Sequence, residues 1–154
     1  MPLTQTELQA ILNYNPETGV FTWRIAPGRR VKAGDEAGSI DSHGYWRIKI
    51  EGKLHRAHRL AWLYVNGIFP VNDIDHIYGN KLDNRISNLR DVPHRENLQN
   101  TKNHRAGRLV GCYWNKRAKK WQAQISINGK QKCLGYYETE IDAHNSYMSA
   151  LARI

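Results

Sequence analysis

The chain has 154 residues, of which 40% are hydrophobic, so it fits one ordinary domain or two small ones with modest cores. Its formal charge of +9 and pI near 9.7 favour a polyanionic partner, with a solvated basic surface as the alternative. Neither of the two cysteines belongs to a CxxC pair, and no apolar run could serve as a signal peptide or cross a bilayer. The composition therefore argues against structural zinc and predicts a cytosolic protein without a membrane partner.

The N-terminal half predicts short helices and short strands. Residues 4–7 match a capping box, and Leu8, Ile11 and Leu12 supply the apolar stripe of the helix that follows. Turn residues then separate this helix from the next element. The further elements predicted here are a strand at 20–23, a strand at 45–50 followed by a turn and a second short strand, and a helix at 57–66 that ends at Gly67.

The segment after this helix predicts a strand–loop–strand–helix unit. Its strands cover residues 74–77 and 89–92, a polar loop joins them, and Pro93 suits the first turn of a helix that runs to about Lys102. In such a unit the helix folds back over the hairpin. Polar side chains of the first strand and of the helix are therefore expected to meet.

The polar residues of this unit are those of phosphodiester hydrolysis at a single metal ion. Asp75 and His76 are adjacent, and Asn88 and Asn97 follow the histidine by twelve and twenty-one residues. A carboxylate and a carboxamide oxygen can hold a hard divalent cation, and a neutral imidazole beside them can activate water. An Asp-His pair alone is usually a surface feature, so the prediction depends on the whole spacing.

The C-terminal part predicts a second, smaller module. Residues 103–109 are the candidate linker because they contain glycine and basic residues but little apolar content. The elements predicted beyond it are strands at 110–114, 121–127 and 130–137, a hairpin turn at Asn128-Gly129, and a helix that begins near Thr139. A three-stranded antiparallel sheet packed against one helix is the simplest arrangement of these elements.

Positive charge is concentrated in this second half, where 97–137 contains no Asp or Glu. Tyrosine and tryptophan lie between the basic residues, a pattern typical of a nucleic-acid surface rather than a disordered tail. Glutamines on the outer sheet face could pair with adenine, while Lys and Arg supply phosphate affinity. The candidate DNA contacts are Arg85, Arg90, Arg95, Lys102, Arg105, Arg108, Tyr113, Lys116, Arg117, Lys120, Gln122 and Gln124, with Lys130 and Lys132 expected near the two glutamines.

Three spans, at 15–23, 57–62 and 75–100, resemble the HNH homing endonucleases of phages and mobile introns, which are His-Me finger nucleases. The tail from 111 to 154, especially Gly111-Cys112-Tyr113-Trp114, is similar to the AP2 DNA-binding domain. These resemblances imply an α+β protein in which a ββα-metal nuclease module precedes the sheet-and-helix module. The implied boundaries are 1–102 for the HNH module, 103–109 for the linker and 110–154 for the AP2-like module.

The resemblance also implies roles for the four polar residues. Asp75 is expected to be the first metal ligand, and Asn97 the second, in the place where other HNH enzymes have histidine. His76 is expected to be the general base, while Asn88 ties the loop to the backbone and fixes that histidine. One Mg²⁺ or Mn²⁺ per active site is implied rather than zinc, with hydrolysis that leaves a 5′-phosphate and a 3′-hydroxyl.

The sequence thus predicts an endonuclease that cleaves double-stranded DNA at a preferred site, in the cytoplasm of a bacterial host if a phage encodes it. The alternative is a non-cleaving DNA-binding regulator built on an inert HNH fold, and an RNA binder is disfavoured because paired exposed aromatics are missing. No sequence feature decides between a monomer that nicks and a homodimer that cuts both strands. His58 is expected to be structural, and Asn84 and Asn100 to be turn and cap residues.

Overall fold

A capped helix begins the fold, as the sequence predicts. In the computed structural model, which describes residues 2–154, the Thr4 side chain accepts the backbone N–H of Glu7. The Glu7 carboxylate in turn accepts the backbone N–H of Thr4 at 2.8 Å, so two donors that a helix start leaves free are satisfied. The helix nevertheless ends at Ile11. Leu12 was expected on its apolar stripe but begins a strand, because it is fully buried opposite Trp23 of the neighbouring strand.

The chain divides into two units between Asn100 and Thr101. Within residues 2–100 the helices and strands are short, and every sheet is antiparallel with two or three strands. The elements of the first unit are α1 (Gln5–Ile11), β1 (Leu12–Tyr14), β2 (Phe21–Trp23), β3 (Ser39–Ile40), β4 (Trp46–Ile50), β5 (Lys53–Arg56), α2 (Ala57–Asn66), β6 (Asp73–His76), a 3-10 helix (Ile86–Asn88), β7 (Leu89–Val92) and α3 (His94–Gln99).

The core of the first unit lies around α2, whose buried positions repeat at helical spacing. Leu60 is fully buried, as are Leu8 of α1, Phe21 of β2 and Ile48 of β4. Burial of apolar side chains from four elements provides the main stabilisation of so small a unit. Helix α2 also packs against the 3-10 helix, so the core supports the segment that enters β7.

The strand–loop–strand–helix unit is present, with β6 and β7 paired so that His76 lies opposite Leu89 and Asp75 opposite Arg90. Helix α3 packs against β6. It ends at Gln99 instead of continuing to Lys102, because Thr101 accepts the backbone N–H of His104 and caps a new helix, α4 (Lys102–Arg105). The predicted linker at 103–109 therefore begins within a helix.

The second unit contains the predicted sheet and helix. Its further elements are β8 (Cys112–Asn115), β9 (Lys120–Ile127), β10 (Lys130–Tyr137) and α5 (Glu140–Leu151), with β9 in the centre of the sheet. Asn128 and Gly129 both have positive φ, at 50° and 74°, as the tight hairpin predicted there requires. Helix α5 packs on the sheet, and Ala143 and Tyr147 of the helix are buried, as are Ala123 and Ile125 of β9.

The strand register gives the faces on which Lys130 and Lys132 project. Lys130 lies opposite Ile127 and Lys132 opposite Ile125, and directly opposed residues of an antiparallel pair project on the same face. Gln122 and Gln124 alternate with these isoleucines and so project on the other face. The two lysines therefore lie on the strand next to that of the glutamines but project on the opposite face.

Cys112 and Cys133 are free thiols on β8 and β10, the two outer strands of the second unit's sheet, with β9 between them. Within residues 2–154, no helix combines the length and apolar character that crossing a membrane demands.

The turn between β1 and β2 supports the loop that follows β6. The Tyr14 hydroxyl donates to the backbone oxygen of Asn84 at 2.8 Å. Gly19, with φ of +74°, lies so close to this loop that a Cβ would be 2.5 Å from the backbone nitrogen of Arg85 and 2.6 Å from the carbonyl carbon of Asn84. Only glycine allows this approach together with this backbone conformation.

We expect Gly19→Ala to destabilise the protein more than Gly52→Ala does. Both positions have positive φ, +74° and +81°, so both substitutions incur the same backbone strain of about 1–2 kcal/mol. A Cβ at Gly52 meets no atom within 4 Å, whereas one at Gly19 adds a backbone clash of about 1–3 kcal/mol. Free energies of unfolding from urea titration measure the difference, and equal losses in the two variants would contradict the close packing of this turn.

Candidate active site

The end of β6 combines polar residues with deep burial. Asp75 and His76 are 4% and 5% exposed, Asn84 is 3% exposed and Asn88 is fully buried. Removing such groups from water is unfavourable unless each finds hydrogen-bond partners inside the protein. The partners they find therefore define the arrangement of this site.

The Asp75 carboxylate is held by two neighbours. Arg90, which lies opposite it in the β6–β7 pair, donates to Oδ2 from Nε at 2.8 Å and approaches the same oxygen with Nη2 at 2.7 Å. Asn100 donates from Nδ2 to Oδ1 at 2.7 Å and also to the backbone oxygen of His76 at 2.7 Å. Arg90, a predicted DNA contact, is thus an ion-pair partner of the carboxylate here.

Asn97 of α3 and Asn100 at the C-cap of this helix contact two different aspartates. Asn97 donates to Oδ2 of Asp73 at 3.1 Å, and Nδ1 of His94 contacts the same oxygen at 2.6 Å. These hydrogen bonds, that of His94 first, lower the pKa of Asp73. The sequence predicts that Asn97 shares a metal ion with Asp75, but the hydrogen bond that reaches Asp75 from this part of the chain is donated by Asn100. Asn100 is the C-cap of α3, as expected, and also belongs to the site.

His76 has one ring nitrogen engaged and one available. Nε2 lies 3.1 Å from Oδ1 of Asn84, and because an amide oxygen can only accept, Nε2 carries the proton in this orientation of the amide. Nδ1 then keeps its lone pair and is the nitrogen that can act as a base. Burial is the main cause that lowers the pKa of His76, which keeps the ring neutral at pH 7, against a smaller opposing effect of the Asn84 hydrogen bond.

Asn88 joins the two ends of the loop between β6 and β7. Its Nδ2 donates to the backbone oxygen of Asp83 at 2.8 Å, and its Oδ1 accepts the backbone N–H of Tyr78 at 3.0 Å. Its own backbone oxygen accepts the N–H of Ile77 at 2.9 Å. These contacts are those of a residue that ties the loop to the backbone beside the histidine. The contact between Asn84 and His76, by contrast, could not be predicted, because no sequence pattern indicates it.

Aromatic rings surround His76 on another side. The His58 ring stands edge-on to His76 with centroids 5.1 Å apart, and Tyr45 lies 5.4 Å from His58 and 6.1 Å from His76. His58 is 5% exposed, and within residues 2–154 its Nδ1 alone is a buried side-chain polar atom without a hydrogen-bond partner. Burial, reinforced by His76, lowers the pKa of His58 to about 3. Its position in the helix among Ala57, Leu60 and Ala61, which are also buried, is the sequence pattern that indicates this burial.

The other predicted contacts are distributed over both units. Arg85 donates to Asp83 from Nε at 2.8 Å, and Arg95 lies on α3. In the second unit, Lys102 and Arg105 are on α4, Arg108 follows it, Lys116 and Arg117 lie exposed between β8 and β9, and Tyr113 is 41% exposed. Lys120 pairs with Glu138 at 2.7 Å. Gln122 is buried, accepts from Asn115 at 2.8 Å and donates to Sγ of Cys133 at 3.4 Å, whereas Gln124 is half-buried.

The donor atoms at the end of β6 fit a hard divalent cation. Asp75 and Asn100 meet there, while Asn97 holds Asp73 at the start of the same strand. Carboxylate and carboxamide oxygens are the ligands that Mg²⁺ and Mn²⁺ prefer. Within the described part of the chain, no three His, Cys, Asp or Glu side chains converge as a metal site. A cation with two protein ligands fits, since Mg²⁺ usually keeps several waters.

Comparison with known proteins identifies the family. Residues 55–99 match the family model described as HNH endonuclease. Over 82 residues the chain is 35% identical to Protein 3.8 of Escherichia phage T7, an alignment that covers 51% of this chain and 68% of that protein. The chain belongs to the HNH endonuclease family. The prediction of a nuclease is thereby confirmed at the level of the family, while the AP2-like module stays a prediction.

One solved structure is also similar to this chain, and it is described as "DNA binding and cleavage by the HNH homing endonuclease I-HmuI". Its TM-score to this chain is 0.46 and its sequence identity 24%, and the alignment covers 88% of this chain and 76% of that one.

The burial of His58 predicts a loss of stability in acid. Its pKa of about 3 in the folded chain lies below the ordinary value of 6.5, so unfolded chains bind more protons at intermediate pH and stability falls as pH falls through 6.5. Between pH 7 and pH 5 this one group contributes a loss of about 2 kcal/mol. His58→Phe, whose ring cannot be protonated, should lose that much less over the same interval in urea unfolding.

His55→Phe is the matched control, because His55 is only half-buried and burial lowers its pKa less strongly. This variant should retain most of the acid-dependent loss seen in the wild type. If His58→Phe loses as much stability as the wild type between the two pH values, His58 is not the buried neutral imidazole described above.

Proposed function

We propose that this chain is a divalent-metal-dependent endonuclease that hydrolyses phosphodiester bonds of double-stranded DNA at a preferred site, leaving a 5′-phosphate and a 3′-hydroxyl. The observation that carries the proposal is the state of His76, a buried neutral imidazole with Nε2 bonded to Asn84 and Nδ1 available, within the segment that matches the HNH family model. A neutral base close to an oxygen-rich cation site is what hydrolysis of a phosphodiester requires.

His76 is the general base in this proposal. Nδ1 takes a proton from the attacking water. The Nε2 N–H keeps its hydrogen bond to the Asn84 side chain throughout, and this bond holds the ring in one tautomer and one orientation. Asn88 acts one step further away by closing the loop that carries Asn84. Both asparagines are therefore positioning residues.

Asp75 and Asn97 are the proposed metal ligands in an arrangement of the ββα-metal type. When bound there, a divalent cation would stabilise the charge that develops on the phosphate and the leaving oxygen. Asn100 positions the carboxylate, because its amide donates to Asp75 and to the backbone oxygen of His76. Arg90 balances the charge of the buried Asp75 carboxylate.

The second unit is proposed as an AP2-like module that holds the DNA. Its support is the exposure of Tyr113 and Trp114, which are consecutive on β8 and so project on opposite faces, and of Lys116 and Arg117 after them. Basic residues attract phosphates, and exposed aromatic side chains beside them add contact area. Gln124 is the remaining candidate for reading a base edge, since both ends of the Gln122 amide are engaged within the sheet.

One observation favours the alternative, a DNA-binding regulator without cleavage. Both oxygens of Asp75 have protein partners, Arg90 and Asn100, so the carboxylate is satisfied by the protein alone. Tight binding of DNA that is independent of metal, with no cutting under any divalent cation, would favour this function over the endonuclease.

Cleavage of supercoiled plasmid tests the proposal. We expect the wild type to cut in Mg²⁺ or Mn²⁺ but not in EDTA, and His76→Ala to cut at least about 100-fold more slowly, because general-base catalysis contributes that much. His55→Gln removes an imidazole outside the site and should cut like the wild type. The enzymatic proposal is abandoned if no divalent metal supports cutting, and His76 loses its role if His76→Ala cuts at the wild-type rate.

Asn84→Leu tests the positioning of the base. Leucine keeps the volume but removes the acceptor of the Nε2 proton, so the ring can adopt the unproductive tautomer and we expect cleavage to slow by about 10- to 100-fold. The half-saturating DNA concentration should change much less than the rate, because Asn84 is buried behind His76. A loss confined to DNA affinity would contradict this role.

A further inference from the structure

Two positive charges share one aromatic ring beside His76. The guanidinium carbon of Arg56 lies 4.4 Å from the centroid of the Tyr45 ring, and Nζ of Lys81 lies 4.6 Å from the same centroid. That ring is 6.1 Å from the imidazole of His76. Cation–π contacts of this kind hold a charged group in place without neutralising it.

Arg56 and Lys81 carry positive charges at exposed positions. Among the described residues, no ion pair within 4 Å includes either side chain, and both residues are exposed. Arg47 lies directly opposite Arg56 in the β4–β5 pair, where like charges are destabilising. Asp41 is the neighbouring acid, but its Oδ1 accepts the backbone N–H groups of His43 and Tyr45 at 2.8 and 3.0 Å.

The two cations are held in place from different parts of the chain. Arg56 is the last residue of β5, and Lys81 belongs to the loop between β6 and β7. Lys81 also donates to the backbone oxygen of His43 at 3.1 Å, which fixes its ammonium beside the Tyr45 ring. Side chains that are ordered before binding lose less conformational entropy when a ligand arrives.

We propose that Arg56 and Lys81 form a phosphate clamp on Tyr45, which holds the backbone of the DNA strand that approaches His76. A phosphodiester offers two non-bridging oxygens and one negative charge, which a planar guanidinium and a compact ammonium can bind together. The clamp binds substrate and takes no part in proton transfer. This inference rests on the proposed function and adds to it a substrate-positioning site outside the basic second unit.

Binding without cleavage provides the first test. In a His76→Ala background without divalent metal, anisotropy of a labelled duplex of about 30 base pairs is followed against salt, where each lost phosphate contact reduces the logarithmic slope by about 1. We expect Arg56→Gln and Lys81→Gln each to raise Kd several-fold and lower the slope by about 1. Lys53 is on the same strand as Arg56 but lies opposite Ile50, so it projects on the other face. Lys53→Gln should therefore have the same Kd and salt slope as the His76→Ala parent.

Tyr45→Leu provides the second test, because it keeps both cations and removes the ring that orders them. We expect it to raise Kd and the half-saturating DNA concentration several-fold, while the single-turnover rate at saturating DNA falls less than about threefold, as for a contact made equally before and during reaction. Circular dichroism and the unfolding midpoint of each variant show whether a loss of binding reflects a loss of folding.

The outcomes separate this inference from the proposed function. If the parent binds DNA and Arg56→Gln and Lys81→Gln bind like Lys53→Gln with the same salt slope, the clamp is overturned even if the wild type cleaves. If the wild type cleaves nothing but both variants show the expected loss of slope, the clamp stands and the endonuclease does not. A parent that fails to bind duplex DNA overturns the clamp, and the endonuclease is overturned with it only if the wild type also cleaves nothing.

Discussion

The structure of the site depends on one constraint, the burial of an acid and an imidazole at the end of a short strand. Asp75 and His76 are almost completely removed from water, so every polar atom they carry has to be satisfied by the protein or kept neutral. Asp75 is paired with Arg90 across the strand pair and with Asn100 after the helix. His76 remains neutral and bonded to Asn84. These requirements explain why asparagines are so frequent in the segments around β6.

The loop between β6 and β7 is ordered by the same kind of contact. Fully buried Asn88 has the two-sided amide that can donate to Asp83 and accept from Tyr78, and neither a carboxylate nor an aliphatic side chain can do both. Gly19 packs against the backbone of this loop at Asn84, and the Tyr14 hydroxyl donates to the backbone oxygen of the same residue. The orientation of the imidazole thus depends on a turn some sixty residues earlier in the chain, which is a packing effect and not a local one.

Features set by neighbours in sequence were predictable, and those set by long-range register were not. The capping box at Thr4 and the turn at Asn128 depend on a few adjacent residues, and both are present. Leu12 has the spacing of a helical stripe, yet pairing with Trp23 makes it a strand residue. Spacing alone could not choose between Asn97 and Asn100 as the partner of Asp75, because the choice depends on where the helix ends, and α3 stops before Asn100. The contact of Asn84 with His76 depends on the fold of a polar loop that has no periodicity.

The pair of imidazoles shows how burial can assist a base. His58 and His76 stand 5.1 Å apart, so a positive charge on both rings at once would be strongly unfavourable in this buried setting. With its pKa near 3, His58 is uncharged at any pH where the fold is expected to function, so a proton taken up by His76 meets no positive imidazole beside it. A second protonatable ring with an ordinary pKa would compete for that proton. The buried Nδ1 of His58 has no hydrogen-bond partner, so it lowers the stability of the fold locally. In return, the His58 ring packs against His76 without adding a positive charge.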